Sequence, residues 1–329
     1  MNPFQRDALQ GGQAHLMRIT LVAERAIPCR GYGGTERQVD WLAKELSCLG
    51  HRVVLIAGRG SSHPLCEVRQ ASSAAECRAA IPADTDIVHF NGRYFETSRP
   101  ALYTLHGFAP GSPRREQNWS FVSASHARNH GRQTFVYNGF PVDAYRLAAA
   151  KTSRLLFLAG IARAGKNLNR AVDLARAFDF ELDIAGGSRW QLLQRTKVRR
   201  QGVFFKSLSR RFRYHGTVDG DEKLRLLGEA RAFLNPIAWE EPFGMAPVEA
   251  MLCGTPVLTT PRGALPEIVD DATGRLFDTD AEFGQALEAV AGLSPQRCRE
   301  SAADRFPIAR TAQGYLELYR RILDGEKLA

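Results

Sequence analysis

Two carboxylates in one short stretch, Glu241 and Glu249, are the residues whose type and spacing point most directly to chemistry. They lie within Asn235-Pro-Ile-Ala-Trp-Glu-Glu-Pro-Phe-Gly-Met-Ala-Pro-Val-Glu-Ala-Met-Leu-Cys-Gly-Thr-Pro-Val-Leu258, which reads as a strand, a loop, a helix and a second strand. The apolar run over residues 232–235 predicts the first strand. Pro247 suits the first helical position, where a fixed φ helps and a missing N–H costs nothing. Gly254 predicts a left-handed stop after Cys253, and Pro256-Val257-Leu258 opens the next strand. In a parallel α/β sheet this loop falls at the carboxyl end of its strand, where ligands bind. Acid side chains there suit hydroxyls and free helix N–H groups suit an anion, a combination that fits a phosphorylated sugar nucleotide. The blander reading stands beside it: Glu249 complements the helix dipole and Glu241 is a solvated loop charge.

The elements that must position such a site come in two sets. Residues 19–23 predict a buried strand, followed by Gly31-Tyr32-Gly33-Gly34 and a helix capped by Thr35, with Gln38 at capping-box spacing. Val39, Leu42, Ala43, Leu46 and Leu49 form that helix's apolar stripe, and Gly50 ends it. Gly33 and Gly34 either let backbone N–H groups approach a phosphate or serve a tight turn. Residues 86–90 and 101–105 predict two further strands, the second ending in His106-Gly107, and Ser125 is placed to cap a helix. Phe135-Val136-Tyr137-Asn138-Gly139 closes the first set, and residues 143–153 carry no strand pattern, so the boundary falls there. The second set opens with a strand at 155–159 and the loop from Gly160 to Asn167. A helix follows with Leu168, Ala171, Val172, Ala175 and Phe178 on one face, then a strand at 182–185 ending in Gly186-Gly187. Asp219 caps a helix reaching Glu229, and residues 308–323 carry Tyr315, Leu318, Tyr319 and Ile322 at helical spacing.

Glu241-x7-Glu249, with Phe243-Gly244 inside it and Glu249-Ala-Met-Leu-Cys-Gly-Thr-Pro-Val257 at its end, resembles the signature of glycosyltransferase family 4. The similarity continues through Arg262-Gly263-Ala264-Leu265-Pro266-Glu267-Ile268-Val269 and Gly274-Arg275-Leu276. The resemblance implies an α/β protein of the GT-B type, with two Rossmann-like domains facing across a cleft and a C-terminal helix that crosses back to the first. The expected limits are 17–145, 150–306 and 307–329, after a disordered extension over 1–16 or a misassigned start, with Met17 the other candidate initiator.

The implied activity is retaining transfer of a sugar from a nucleoside diphosphate, most commonly uridine diphosphate, to an acceptor. By resemblance, Gly33 and Gly34 face the donor phosphates and His106 lies near the donor sugar. Glu241 and the backbone of Phe243, Gly244 and Met245 hold sugar hydroxyls, and Glu249 holds the ribose. Glu241 as a nucleophile and front-face displacement assisted by the leaving phosphate both stay open. Lys166 corresponds to one member of an Arg–Lys pair that neutralises the leaving diphosphate. Ile161 stands where the arginine is expected, with Arg163 nearer the lysine. Either Arg163 substitutes from a shifted loop, or one cationic contact is lost at about 3 kcal/mol of barrier. That departure motivates the alternative reading, a non-catalytic nucleotide-sugar-binding partner subunit. A third, an epimerase of the same fold, would be expected to lack the glutamate pair.

Length and composition agree with two soluble α/β domains. No apolar run approaches the roughly 20 residues of a membrane span, and residues 1–16 hold no signal-peptide core. The six cysteines show no metal spacing, which predicts buried free thiols in a reducing cytoplasm. Within the net charge of +9, Arg195, Lys197, Arg199, Arg200, Lys206, Arg210, Arg211 and Arg213 form one stretch without an acid, and Arg114 and Arg115 a smaller cluster. This is either a solvated loop or a contact of residues 195–213 with anionic lipid at the inner face of a membrane. No nucleic-acid motif accompanies it. Asp84-Thr85-Asp86 precedes a strand, while Asp219-Gly220-Asp221 and Asp278-Thr279-Asp280 sit at helix starts, away from the phosphate end of a strand. The expectation is therefore a metal-independent enzyme without a cofactor, the nucleotide sugar being its substrate.

Overall fold

The structure is a computed structural model, and it describes residues 16–29, 31, 33–107, 117–194 and 202–328. The 1–15 part of the expected extension, the cluster at Arg114 and Arg115, and residues 195–201 of the basic stretch lie outside the described residues.

The first lobe runs β1 (Arg18–Ala23), α1 (Gly34–Cys48), β2 (Arg52–Ala57), β3 (Glu67–Gln70), α2 (Ala74–Ala80), β4 (Ile87–Asn91), β5 (Ala101–Leu105), β6 (Asn118–Phe121) and α3 (Ala124–Asn129). The second runs β7 (Leu155–Leu158), α4 (Leu168–Ala177), β8 (Leu182–Ala185), α5 (Gln191–Gln194), α6 (Val203–Lys206), β9 (Phe212–Gly216), α7 (Gly220–Glu229) and β10 (Ala232–Asn235). It continues through α8 (Met245–Leu252), β11 (Val257–Thr259), α9 (Leu265–Ile268), β12 (Gly274–Leu276), α10 (Asp280–Ala289) and α11 (Pro295–Arg305).

Every strand pair is parallel, in the orders β3-β2-β1-β4-β5-β6 and β12-β11-β10-β7-β8-β9. Each lobe is thus a doubly wound Rossmann-like sheet whose order reverses once, beside β1 and β4 in the first and beside β7 and β10 in the second. A crevice opens at such a reversal. The strands are buried on both faces, which is why they read as unbroken apolar runs and not as alternating patterns.

The last helix, α12 (Ile308–Leu323), crosses back as the resemblance implied. Tyr315, Leu316, Leu318, Tyr319 and Ile322 join the core of the first lobe with Ile19, Leu21 and Leu42, and the Tyr319 hydroxyl meets His89 Nδ1 at 2.7 Å. The chain passes between lobes twice, and the two passages bond to each other: Phe140 N–H donates to the Phe306 carbonyl and Ile308 N–H to that of Phe140. Phe140, Tyr145, Phe243 and Phe306 pack as an aromatic pin at this crossing.

Three helix starts differ from the sequence expectation. The helix of the signature stretch begins at Met245 with Gly244 at its cap, φ +104°, so Pro247 lies within the first turn and not at its first position. Proline is tolerated there because first-turn N–H groups have no acceptor in the helix. α1 begins at Gly34 with Gly33 at its cap, so Thr35 does not cap. Gln38 instead holds Gly139, donating to its carbonyl at 2.8 Å and accepting from its N–H at 3.1 Å. Ser123, not Ser125, caps α3. Gly254 does stop α8, with φ +70° and no room for a Cβ beside Leu147 and Pro295. Cys77, Cys253 and Cys298 are buried, whereas Cys29 and Cys66 are partly exposed and Cys48 is exposed; all six are free thiols.

Candidate active site

The crevices of the two lobes face one another and enclose a cavity of about 380 Å³. The first lobe contributes the turn after β1, through Gly31, Gly34, Thr35 and Arg37, and the end of β5, through His106 and Gly107. The second contributes the ends of β7 and β10 and the loop into α8. Parallel pairing brings these loops together, since all strands of a sheet end on the same edge.

Of the residues expected at the site, Gly34, His106, Arg163, Lys166, Glu241, Phe243, Gly244, Met245 and Glu249 line this cavity. Gly33 is not on its wall. Its backbone is extended, and a Cβ there would overlap Cys29 Sγ, so Gly33 serves the packing under the turn while Gly31, at φ +80°, reaches the cavity.

At one end of the cavity Lys166 Nζ meets Glu241 Oε2 at 2.7 Å. Trp239 joins them: its indole N–H donates to the same oxygen at 2.9 Å, and Lys166 Nζ sits 4.9 Å from its ring centre. Gly165 makes the arrangement possible, because a Cβ there would overlap the indole. The Glu241 loop is held in turn by Gly263 and Ala264: Ala264 N–H donates to the Glu241 carbonyl at 2.8 Å, and Gly263 has φ +59° and no space for a Cβ. Ile161 is buried in the second lobe's core, 1% exposed. Arg163 lies over Gly160 and lines the cavity with Lys166, so two cations of this loop reach the wall. Met245 and Ala246 line it as well, at the start of α8, where N–H groups lack an intrahelical acceptor.

At the other end Glu249 is 2% exposed. Its Oε1 accepts from Arg37 Nη1 and Lys223 Nζ, both at 2.6 Å, and from the Tyr145 hydroxyl at 3.2 Å. Burial alone would raise this carboxyl's pKa; Lys223 and Arg37 outweigh it, and the net shift is downward. The blander reading of Glu249 as a dipole complement therefore omits its partners, one of which comes from the opposite lobe.

His106 Nε2 meets Asn91 Oδ1 at 2.8 Å, and its Nδ1 is buried without a partner among the described residues. Burial, with His126 nearby, pushes its pKa down to about 4, so the imidazole is neutral at pH 7. Such a ring can give or accept a hydrogen bond without bringing charge to a sugar.

The lobes are also fastened beside the cavity. Ser123 Oγ donates to the Pro242 carbonyl at 2.7 Å. Glu267 accepts from the Ala124 and Ser125 N–H groups, from Arg128 and from the Tyr137 hydroxyl, and so caps a helix of the other lobe. Arg37, Tyr145, Lys223, Trp239 and the role of Glu267 were missed from sequence. Only Trp239 was legible there, as the aromatic residue two before Glu241.

Asp219 is a correction. The D-x-D strings were expected away from the phosphate end, yet Asp219 lines the cavity, because the loop after β9 ends on the same edge as the others. It also caps α7, accepting from Gly220 N–H. Asp84 pairs with Arg18 and Arg52, and Thr279 caps α10 in a capping box with Glu282. Among the described residues no group of three or more His, Cys, Asp or Glu is arranged to hold a metal ion.

With this geometry in place, the likeness to known proteins is specific. Residues 153–292 match the family Glycosyl transferases group 1. The chain superposes on AviGT4, a glycosyltransferase involved in avilamycin A biosynthesis, at 27% identity and a TM-score of 0.79, covering 94% of this chain and 98% of that one. Anabaena Alr3699/HepE, solved in complex with UDP-glucose, shares the fold at 17% identity and a TM-score of 0.70, covering 92% and 99%. Alpha-maltose-1-phosphate synthase of Mycolicibacterium smegmatis is 35% identical over 112 residues, 30% of this chain and 29% of its own length. The curated relatives are thus matched over about a third of their length or less. The fold is GT-B, and residues 153–292 of the second lobe are similar to glycosyl transferases group 1.

Proposed function

We propose that the protein is a glycosyltransferase that binds a nucleoside-diphosphate sugar in the interlobe cavity and transfers the sugar to an acceptor with retention. The observation that carries this reading is the joining of Lys166, Glu241 and the α8 start on one wall, opposite the Gly34 turn and His106. In this reading the diphosphate lies against Lys166, Arg163 and the N–H groups of Met245 and Ala246, which stabilise the charge that grows as it departs. Glu241 exchanges Lys166 for sugar hydroxyls, with the Phe243–Met245 backbone as its neighbours. Glu249 takes the ribose once Arg37 or Lys223 yields. Closure by Ser123 and Glu267 excludes water from the transfer.

The finer parts of the proposal are a uridine diphosphate donor, a saccharide or lipid-linked acceptor, transfer without a metal ion, and a cytoplasmic location touching the inner face of a membrane through residues 195–213. UDP-glucose bound to the similar Alr3699/HepE fold supports the donor, and the absence of a described helix long and apolar enough to cross a membrane accords with a peripheral location. Transferase and synthase names among the relatives favour catalysis over a binding-only subunit.

The test is product formation from a panel of nucleotide sugars and acceptors, with EDTA present in one arm. Glu241→Ala is expected to abolish turnover, and Lys166→Ala to weaken nucleotide binding with a loss of about 100-fold or more in kcat. Wild-type rates from both variants would overturn the site.

A further inference from the structure

Asn91 is a buried polar residue at the last position of β4, where the first sheet reverses its order beside β1. β5 runs next to β4, and His106 is the first residue beyond it, so both residues stand at the carboxyl edge that faces the cavity. The Asn91 amide has one orientation open to it. Its Nδ2 lies 3.3 Å from the His89 carbonyl and its Oδ1 lies 2.8 Å from His106 Nε2. A carbonyl only accepts, so the amide group facing it must be the N–H. The group facing His106 is then Oδ1, which also only accepts. His106 must therefore carry its proton on Nε2, and its Nδ1 is left as a lone pair. That Nδ1 is buried with no partner among the described residues.

The carbonyl at the start of this chain of bonds is itself held. The His89 ring is fully buried, with Nδ1 on the Tyr319 hydroxyl and Nε2 on the Thr104 hydroxyl, both at 2.7 Å. The Tyr315 ring packs 4.7 Å away, and β4 is paired on both sides. Turning the Asn91 amide over would set Oδ1 against the His89 carbonyl, two acceptors face to face in a buried place. The titratable groups around His106 are His89 behind it and His126 on α3, with Glu241 acting on His126 in turn. None of them bonds to Nδ1.

We infer that Asn91 is a positioning residue: it fixes His106 in the tautomer whose lone pair is on Nδ1, so that His106 accepts a hydrogen bond and selects a sugar hydroxyl over a phosphoryl oxygen. This rests on the reading of the cavity as a sugar-transfer site. An imidazole free to choose its tautomer would serve a phosphoryl oxygen equally well, by presenting an N–H to it. With Asn91 in place the only N–H of the ring is already engaged, and the diphosphate is left to Lys166 and Arg163. A buried lone pair without a donor is costly, and a substrate hydroxyl relieves it.

The experiment is nitrogen–proton NMR of the full chain with isotopically labelled histidine, the His106 signals being assigned by their loss in His106→Phe. The wild type is expected to carry the His106 proton on Nε2 at neutral pH; a proton on Nδ1 would overturn the inference. Asn91→Leu, similar in shape and without an acceptor, should give a mixture of tautomers. It should weaken UDP-glucose by about fivefold, the worth of one hydrogen bond, and leave UDP, which has no sugar, bound as in the wild type. Equal weakening of both would mean that Asn91 only supports the fold. Asn91→Asp keeps the acceptor and adds a charge that raises the His106 pKa from about 4. Below the raised value Nδ1 gains a proton and its lone pair is lost. UDP-glucose affinity of this variant, taken relative to the wild type at each pH, should therefore fall as pH drops, with UDP unaffected. A constant ratio would overturn the inference, and this profile decides alone if Asn91→Leu fails to melt cooperatively. Failure of the wild type to bind UDP-glucose, or to turn over any nucleotide sugar, would strike the donor or the transferase reading, with the tautomer still deciding the part played by Asn91.

Discussion

The two lobes share one topology and handle buried polarity in opposite ways. The first lobe buries imidazoles and keeps them neutral: His89, His106 and His126 all have pKa values lowered, chiefly by burial. The second buries a charge, Glu249, and keeps it ionised by bringing Lys223 from its own lobe and Arg37 from the other. Of these rings His106 lines the cavity, where a neutral imidazole suits the sugar proposed to bind there. The compensated carboxylate suits the proposed exchange of its Arg37 or Lys223 partner for a ribose. One architecture thus supplies two kinds of surface to a single cavity, because the loops after the strands, and not the sheets, decide what is presented.

The contrast can be broken in several places, beginning with the strongest. Lys223→Met leaves the buried Glu249 with only Arg37 and Tyr145, and is expected to lower stability by about 3 kcal/mol in urea denaturation. Arg37→Met, at a more exposed partner, should cost about 1 kcal/mol. Equal losses would mean that the second lobe does not hold this charge by itself.

Trp239→Leu removes both the indole donor to Glu241 and the ring beneath Lys166. A fall of about 2 kcal/mol in transition-state stabilisation, read as kcat, is expected, with Trp239→Phe recovering the ring's part. Identical rates for Leu and Phe would assign the effect to the N–H alone.

The neutral side of the contrast is tested by pH. His126 has its pKa pushed down to about 4, mainly by burial and then by His130, against an ordinary 6.5. Between those values the unfolded chain binds the additional proton, so stability falls as pH drops through this window, by at most about 1.4 kcal/mol per pH unit. His126→Phe should flatten that part of the stability curve, and an unchanged slope would remove His126 from the account.

The smallest expected effect is at Glu267. Glu267→Ala leaves the Ser123 cap on α3 but removes the acceptor of the Ala124 and Ser125 N–H groups and one fastening between lobes, at about 1 kcal/mol in melting experiments. It should also raise KM more than it lowers kcat if the fastening acts on closure.

Much of this was legible before any fold was known. The strand at Ala232–Asn235, the stop at Gly254, the cap at Asp219 and the last helix over Ile308–Leu323 stand where local rules put them. Those features depend on residues a few positions apart. The misplaced starts at Thr35 and Ser125 failed for a nonlocal reason, and the one at Pro247 for a local one. Gln38 is drawn to Gly139, the N–H groups at Ala124 and Ser125 are taken by Glu267, and Gly244 can adopt a cap conformation closed to most residues.

Sequence alone determined the two α/β sets, the signature loop with Glu241 and Glu249, and the cationic loop holding Lys166, because hydrophobic pattern and short-range spacing are written along the chain. Tertiary structure alone decided that Arg37 would meet Glu249 from 212 positions away, that Trp239 would sit on Gly165, and that Glu267 would cap a helix in the other lobe. Such pairings arise when two sheets that each end their strands on one edge turn those edges toward each other, and no local pattern encodes that encounter.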